Sequence, residues 1–170
     1  RIFVTATDSA GNVSDPVLVI IRNVSASQPE TILPNSYDNL LVNVPVSIAN
    51  AAINFGAPVN GQITLPGRLL VTSNMAGGNV LMEIPKGTVI SGSADWDGII
   101  NLPRLIELSG STNLVGLGEK AENVVAYEVG AGDLSLTFAP PIKLTFVGQA
   151  GKRAGYFRDG NFVEISNVCN

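Results

Sequence analysis

The sequence contains no histidine and only one cysteine, Cys169, next to its last residue. Without an imidazole there can be no Ser-His-Asp or Cys-His nucleophile and no histidine-based metal site, and a single thiol excludes Cys-x-x-Cys sites and any internal disulfide. Cys169 is expected to pair beyond the observed chain or with another molecule, or to remain a free thiol. Charge is scarce as well: 14% of residues are charged, the net charge is −4, and the longest basic run is the pair Lys152-Arg153. A surface that tracks phosphates has nothing to be built from, so nucleic acid is excluded as a partner. Long apolar runs are missing too. Val17–Ile21 is of strand length against the roughly 20 residues that a membrane-crossing helix needs, and no membrane insertion of this segment is expected. Phosphate loops are absent, since Gly116-Leu117-Gly118-Glu119-Lys120 lacks the G-x-x-x-x-G-K-[ST] spacing and reads as a loop. The first residue is Arg1 rather than Met and no signal-peptide pattern follows it, which reads as a processed subunit or a segment of a longer protein.

What is present is apolar and turn-rich. Hydrophobic residues make up 45% of the chain beside 18 glycines and 10 prolines, and Val, Ile, Thr, Ser and Asn far outnumber the good helix formers. The opening Ile2-Phe3-Val4-Thr5-Ala6-Thr7 alternates, the polar turn Asp8 to Asn12 follows, and Val17–Ile21 comes after Pro16. That order predicts a β-hairpin over residues 1–22, and because a lone hairpin is marginal it must find further sheet. Residues 23–39, with Ser25, Ser27, Gln28, Pro29, Pro34, Asn35 and Ser36, read as a linker.

From Leu40 onward short strand signals recur, separated by Gly, Pro or Asn: 40–44, 46–55, 62–65, 68–72, 79–84, 99–102, 105–108, 123–129, 134–138, 142–147, 155–158 and 162–166. No segment sustains a 3.6-residue period, although the alanines of Ile48–Ile53 would tolerate a helix. The expected fold is therefore all-β: an antiparallel β-sandwich, immunoglobulin-like or jelly-roll-like, over residues 40–170 with its core at about 62–166, preceded by the extra N-terminal hairpin.

Two stretches carry a resemblance. Val80-Leu81-Met82-Glu83-Ile84-Pro85-Lys86-Gly87-Thr88 resembles the V-x-L-x-I-P-x-G-A signature of the β-sandwich domain shared by zonula occludens proteins, netrin receptors and ankyrins, with Met82 and Thr88 as departures. Glu128-Val129-Gly130 followed by Phe138-Ala139-Pro140-Pro141-Ile142-Lys143-Leu144 is similar to the same family's E-C-G and F-x-x-P-V-x-L, with Val129 in place of Cys and Ile142 in place of Val. The residues concerned have packing roles on their own terms, because Val80, Met82 and Ile84 share one strand face and Gly87 suits a turn. The hairpin segment Val4-Thr5-Ala6-Thr7-Asp8-Ser9-Ala10-Gly11-Asn12 resembles the end of bacterial extracellular immunoglobulin-like, hyalin-type repeats. Together these resemblances imply a modular bacterial surface or adhesin-like protein, extracellular, and imply no reaction.

Three places are candidate sites. In Ser93-Ala94-Asp95-Trp96-Asp97-Gly98 a solvent-facing Trp96 between Asp95 and Asp97 would stack on a sugar ring, or the acids would hold Ca²⁺, whereas the structural alternative is a Trp96 folded back as a loop anchor. As paired carboxylates, Asp95 and Asp97 show no sign of facing each other across a substrate, so no enzymatic activity is expected. Asp8, Asn12 and Asp15 form a second oxygen-rich turn, open to Ca²⁺ or to simple Asx-turn bonding. Ile2, Val4, Val17, Val19 and Ile21 form an apolar hairpin face that needs a surface to cover. Lys86 and Lys143 are candidates for covalent Lys–Asn cross-links. No cofactor is expected apart from possible Ca²⁺. The expected role is a non-catalytic structural or adhesive module, with two alternatives: a filament subunit assembling by strand donation, and a carbohydrate- or calcium-dependent binding module. Its expected partners are other protein domains, copies of itself or surface polysaccharide.

Overall fold

A computed structural model describes residues 2–75, 78–106, 125–158 and 161–165. Cys169, the 116–120 stretch, the end of the expected core at Ser166 and the end of the expected domain at residue 170 lie outside them. The chain is all-β, as its composition requires. In order, the strands are β1 (Ile2–Val4), β2 (Val17–Asn23), β3 (Glu30–Ile32), β4 (Asn39–Val44), β5 (Ala52–Asn54), β6 (Gln62–Thr64), β7 (Arg68–Ser73) and β8 (Val80–Ile84). They continue with β9 (Val89–Ser91), β10 (Ile99–Ile106), β11 (Ala126–Gly130), β12 (Thr137–Ala139), β13 (Lys143–Phe146), β14 (Gly155–Arg158) and β15 (Asn161–Glu164). A six-stranded sheet in the order β1-β2-β4-β7-β8-β13 packs against a second layer made of β11-β10-β5-β3 and the smaller β12-β9-β6, while β14 and β15 pair as a separate hairpin.

The inner face of the large sheet follows from alternation. Ile20, Leu40, Leu69 and Ile84 stand side by side in register across β2, β4, β7 and β8, and none is more than 1% exposed. Val42, Val71 and Met82 form the next row two residues on. From the second layer Ile53 and Ile100, paired between β5 and β10, join the same core. Each such side chain contributes about 1.5–3 kcal/mol by leaving water.

Most ladders are antiparallel, as expected, but β2–β4, β4–β7 and β3–β5 are parallel. The chain leaves β2 in the large sheet, runs through β3 in the second layer and returns as β4 beside β2, then repeats the excursion through β5 before β7. In these two excursions the returning strand enters in the same direction as its predecessor, so parallel pairs arise without helices; the longer excursion from β8 through β9–β12 brings β13 back antiparallel.

Residues 23–39 are consequently not a linker. They contain β3 and bury Val24, Thr31 and Tyr37, and Asp38 ties the hairpin to the main sheet by accepting the Leu18 N–H at 3.0 Å. Their polar composition reflects two corners taken in a short distance. The hairpin is likewise continuous with the sandwich through β2. The face expected to need cover, Ile2, Val4, Val17, Val19 and Ile21, is the outer one. Ile20, of the opposite parity, enters the core. The 99–102 signal and the described part of the 105–108 signal, Leu105 and Ile106, belong to one strand, β10, whose register shifts between Asn101 and Arg104 where Pro103 withholds its donor. Residues 46–51 precede a β5 of only three residues, Ala52–Asn54.

The parity gives a direct test. Ile20→Ala is expected to cost about 2–5 kcal/mol of unfolding free energy, and Ile21→Ala, at a half-exposed position, less than about 1 kcal/mol. Denaturant titration of both variants checks the assignment, and equal losses would reverse it.

Candidate functional site

The loop from Gly92 to Ile99 joins β9 to β10, and Trp96 is its centre. The ring is 3% exposed, and its indole N–H donates to the Ile99 carbonyl at 3.0 Å. Gly92 lies directly beneath it: a Cβ at residue 92 would stand 2.8–2.9 Å from Trp96 carbons, so only glycine lets the ring lie this close. Gly98, at φ +84°, is as constrained, because a Cβ there would meet the Gly56 carbonyl oxygen at 1.9 Å. Trp96 is therefore the loop anchor, and the ring face that sugar stacking would require is covered. Asp95 and Asp97 are exposed on either side, and Asp97 accepts the Ile99 N–H at 2.9 Å, closing an Asx-type turn that starts β10. The spacing Gly-x-x-x-Trp was the available signal for this arrangement.

In the hairpin turn, the Asp8 carboxylate accepts from the backbone N–H groups of Ala10 and Asn12, both at 2.9 Å, and from the Asn12 side-chain amide at 2.8 Å. The Asn12 amide holds its carboxyl below the usual range, with the backbone donors adding to the effect. Asp15 is not drawn into this set of bonds; its carbonyl accepts from the Ser14 hydroxyl. The turn is thus built by donors converging on Asp8. Lys86 and Lys143 are both exposed, and Lys86 Nζ lies 3.7 Å from an Asp38 oxygen.

Elsewhere, acids are paired with arginines on the surface. Arg68 Nε donates to Glu83 at 2.7 Å on the outer face of the large sheet, and Arg104 holds Glu128 through Nε at 3.0 Å and Nη2 at 2.6 Å across β10 and β11. The Arg68 bond keeps the Glu83 carboxyl below its ordinary value. Burial pushes the Tyr37 phenol far upward, and its hydroxyl has no hydrogen-bond partner among the described residues.

The hairpin is apolar and exposed. Phe3 is 69% exposed, and Ile2 and Val4 about half. Phe3 points to the inner side of the sheet, opposite Leu18, but lies beyond the edge of the core, so neither face of β1 is covered. On the outer side Ile2, Val4, Val17, Val19 and Ile21 run on into Leu41 and Leu70 through the registers β1–β2–β4–β7, forming one apolar stripe that stops at the Arg68–Glu83 pair. Reading the hairpin face by alternation identified one side of this surface; Phe3 and the continuation into Leu41 and Leu70 depend on register and were not visible without it.

No family model matches the chain, and neither a curated protein nor a solved structure matches it.

Two outcomes test these assignments. Trp96→Ala should lower stability by about 3–5 kcal/mol, since it empties a buried aromatic site; a variant with unchanged melting temperature would return Trp96 to the surface. Glu83 contributes stability that is complete above the ordinary glutamate pKa of about 4.3 and is lost as pH falls through its lowered folded value. Glu83→Gln should therefore flatten the acid limb of the stability–pH curve, and a superimposable limb would show the pair to be silent.

Proposed function

We propose that this chain is a non-catalytic structural or adhesive module of a bacterial extracellular surface protein, and that it works by holding other protein through its N-terminal hairpin. The observation that carries the reading is the strand β1, apolar in every residue and uncovered on both faces at the open edge of the large sheet. Edge strands facing water are usually blunted by charge, proline or a bulge, and Ile2-Phe3-Val4 has none of these. The outer stripe that continues from it is of the kind that marks protein contact on a soluble surface. The lack of histidine in the whole chain and the structural engagement of Trp96 and Asp8 favour a role in contact over one in chemistry. The extracellular setting rests on the resemblance of Val4 to Asn12 to bacterial repeat ends.

A second reading, a filament subunit, is favoured by one further feature. β1 and β13 are the two outermost strands of the same sheet, so β1 of one copy added to β13 of the next would continue that sheet from molecule to molecule without closing.

Sedimentation velocity over a range of concentrations tests both. The intact chain should associate, and Phe3→Glu combined with Ile2→Lys should weaken association at least tenfold, a loss of about 1.4 kcal/mol or more, with little change in melting temperature because both side chains are exposed. Shortening the chain to begin at Asp38 is not a usable control, since it would remove Ile20, Val24 and Thr31 from the core. An intact chain that stays monomeric throughout would sink self-association, and association unchanged in the double variant would move it away from β1.

A further inference from the structure

The two layers do not close completely at the end where β11, β12 and β13 meet. A cavity of about 140 Å³ remains between them, with Met82, Ile84 and Ile100 forming its floor and Val129, Phe138 and Ile142 among its rim. The floor residues are at most 1% exposed, whereas the rim residues are half-buried, so the cavity deepens from the surface into the core. Every described side chain that lines it is hydrocarbon or thioether, and the remaining contributor is the backbone of Gly130.

Protein interiors are packed to the density of organic crystals and seldom leave voids larger than a water molecule. Water gains little in such a place, because it needs two to four polar partners and these walls offer no side-chain donor or acceptor. Enclosed apolar cavities of about 150 Å³ take up benzene-sized molecules, and this one is of similar volume and opens to the surface at its rim. The walls here stand on different elements, β8, β10, β11 and the approach to β13, so collapse at one of them would disturb the ladders of the others. We propose that this cavity is a binding site for a small uncharged apolar ligand, of the size of one aromatic ring or a short branched alkyl group. Charged and strongly polar molecules are disfavoured, since they would lose their hydration with no side-chain donor or acceptor to replace it. The site is independent of β1 and of the self-association tested above.

The chain has two methionines, and only Met82 lines the cavity. Met75 therefore serves as an internal control. With methyl-labelled methionine in the intact chain, toluene should shift the Met82 resonance and leave that of Met75 in place, saturating with a Kd on the order of a millimolar, within reach of seven non-hydrogen atoms. Benzoate, of nearly the same shape but charged, should leave both unmoved. Val129→Phe, which fills the cavity from the rim, should weaken toluene binding at least tenfold, and Ile142→Phe provides the same test from another wall should the first variant fold poorly. No Met82 shift up to the solubility of toluene, equal shifts at both methionines, or undiminished binding in a folded filled variant would each overturn the proposal. So would a phenylalanine-bearing peptide that moves Met82 when toluene does not, since the cavity would then belong to a protein side chain.

Discussion

The structure depends on one constraint: the apolar face of the large sheet must be covered, and this chain has no helix among its described residues to cover it with. The row Ile20, Leu40, Leu69, Ile84 and the row Val42, Val71, Met82 are satisfied only by strands of a second layer carrying Ile53 and Ile100. Because each covering strand is drawn from the sequence between two strands of the large sheet, the chain winds between layers, and the winding accounts for the parallel pairs. A simple hairpin meander would have made every neighbour antiparallel but would have left β3 and β5 without a place.

Winding of this kind concentrates strain and close approach at the corners. Gly98 reaches φ +84° against the Gly56 carbonyl, and Gly67 has no room for a side chain because the Tyr37 backbone and ring lie where a Cβ would stand. The corner at Trp96 is solved differently, by a large side chain laid on Gly92 and fastened by the indole N–H. Its two flanking carboxylates remain outside, so the segment with the strongest outward signs of a ligand site owes its composition to the turn. The cost of the arrangement is visible in the hydroxyl of Tyr37 and that of Ser73, both buried without a hydrogen-bond partner among the described residues.

Strands of four residues or more were legible wherever alternation was clean, as in Asn39–Val44, Arg68–Ser73 and Val80–Ile84. β3 and β9 were not, because Glu30-Thr31-Ile32 shows no apolar alternation, its buried residue being a threonine, and the adjacent apolar pair Val89-Ile90 marks no single face. Pro103 broke the β10 signal although the strand passes through it with a shift of register. The parallel pairing was also out of reach, since alternation tells which residues share a face but not which strand lies beside which. For the same reason the three candidate sites could be listed from the sequence but not sorted: exposure of Trp96, convergence at Asp8 and parity in the hairpin are all properties of the assembled corner or sheet.

The hairpin shows how parity divides one strand between two purposes. β2 carries Leu18 and Ile20 inward, and at Ile20 the core begins. β1 extends the same sheet by one strand further, past the last residue of the second layer able to cover it, so Phe3, which shares the inward side with Leu18, meets water. Folding of this chain alone therefore gains little from Phe3, and an exposed phenylalanine in an uncharged edge strand carries a risk of unwanted pairing. A residue that adds little to its own core and adds risk at an edge is accounted for if its contact is made with something outside the fold. The outer stripe strengthens the argument, because Val19, Ile21, Leu41 and Leu70 extend the apolar surface across three further strands and end at a charged pair, giving the surface the apolar centre and polar boundary of a contact between proteins.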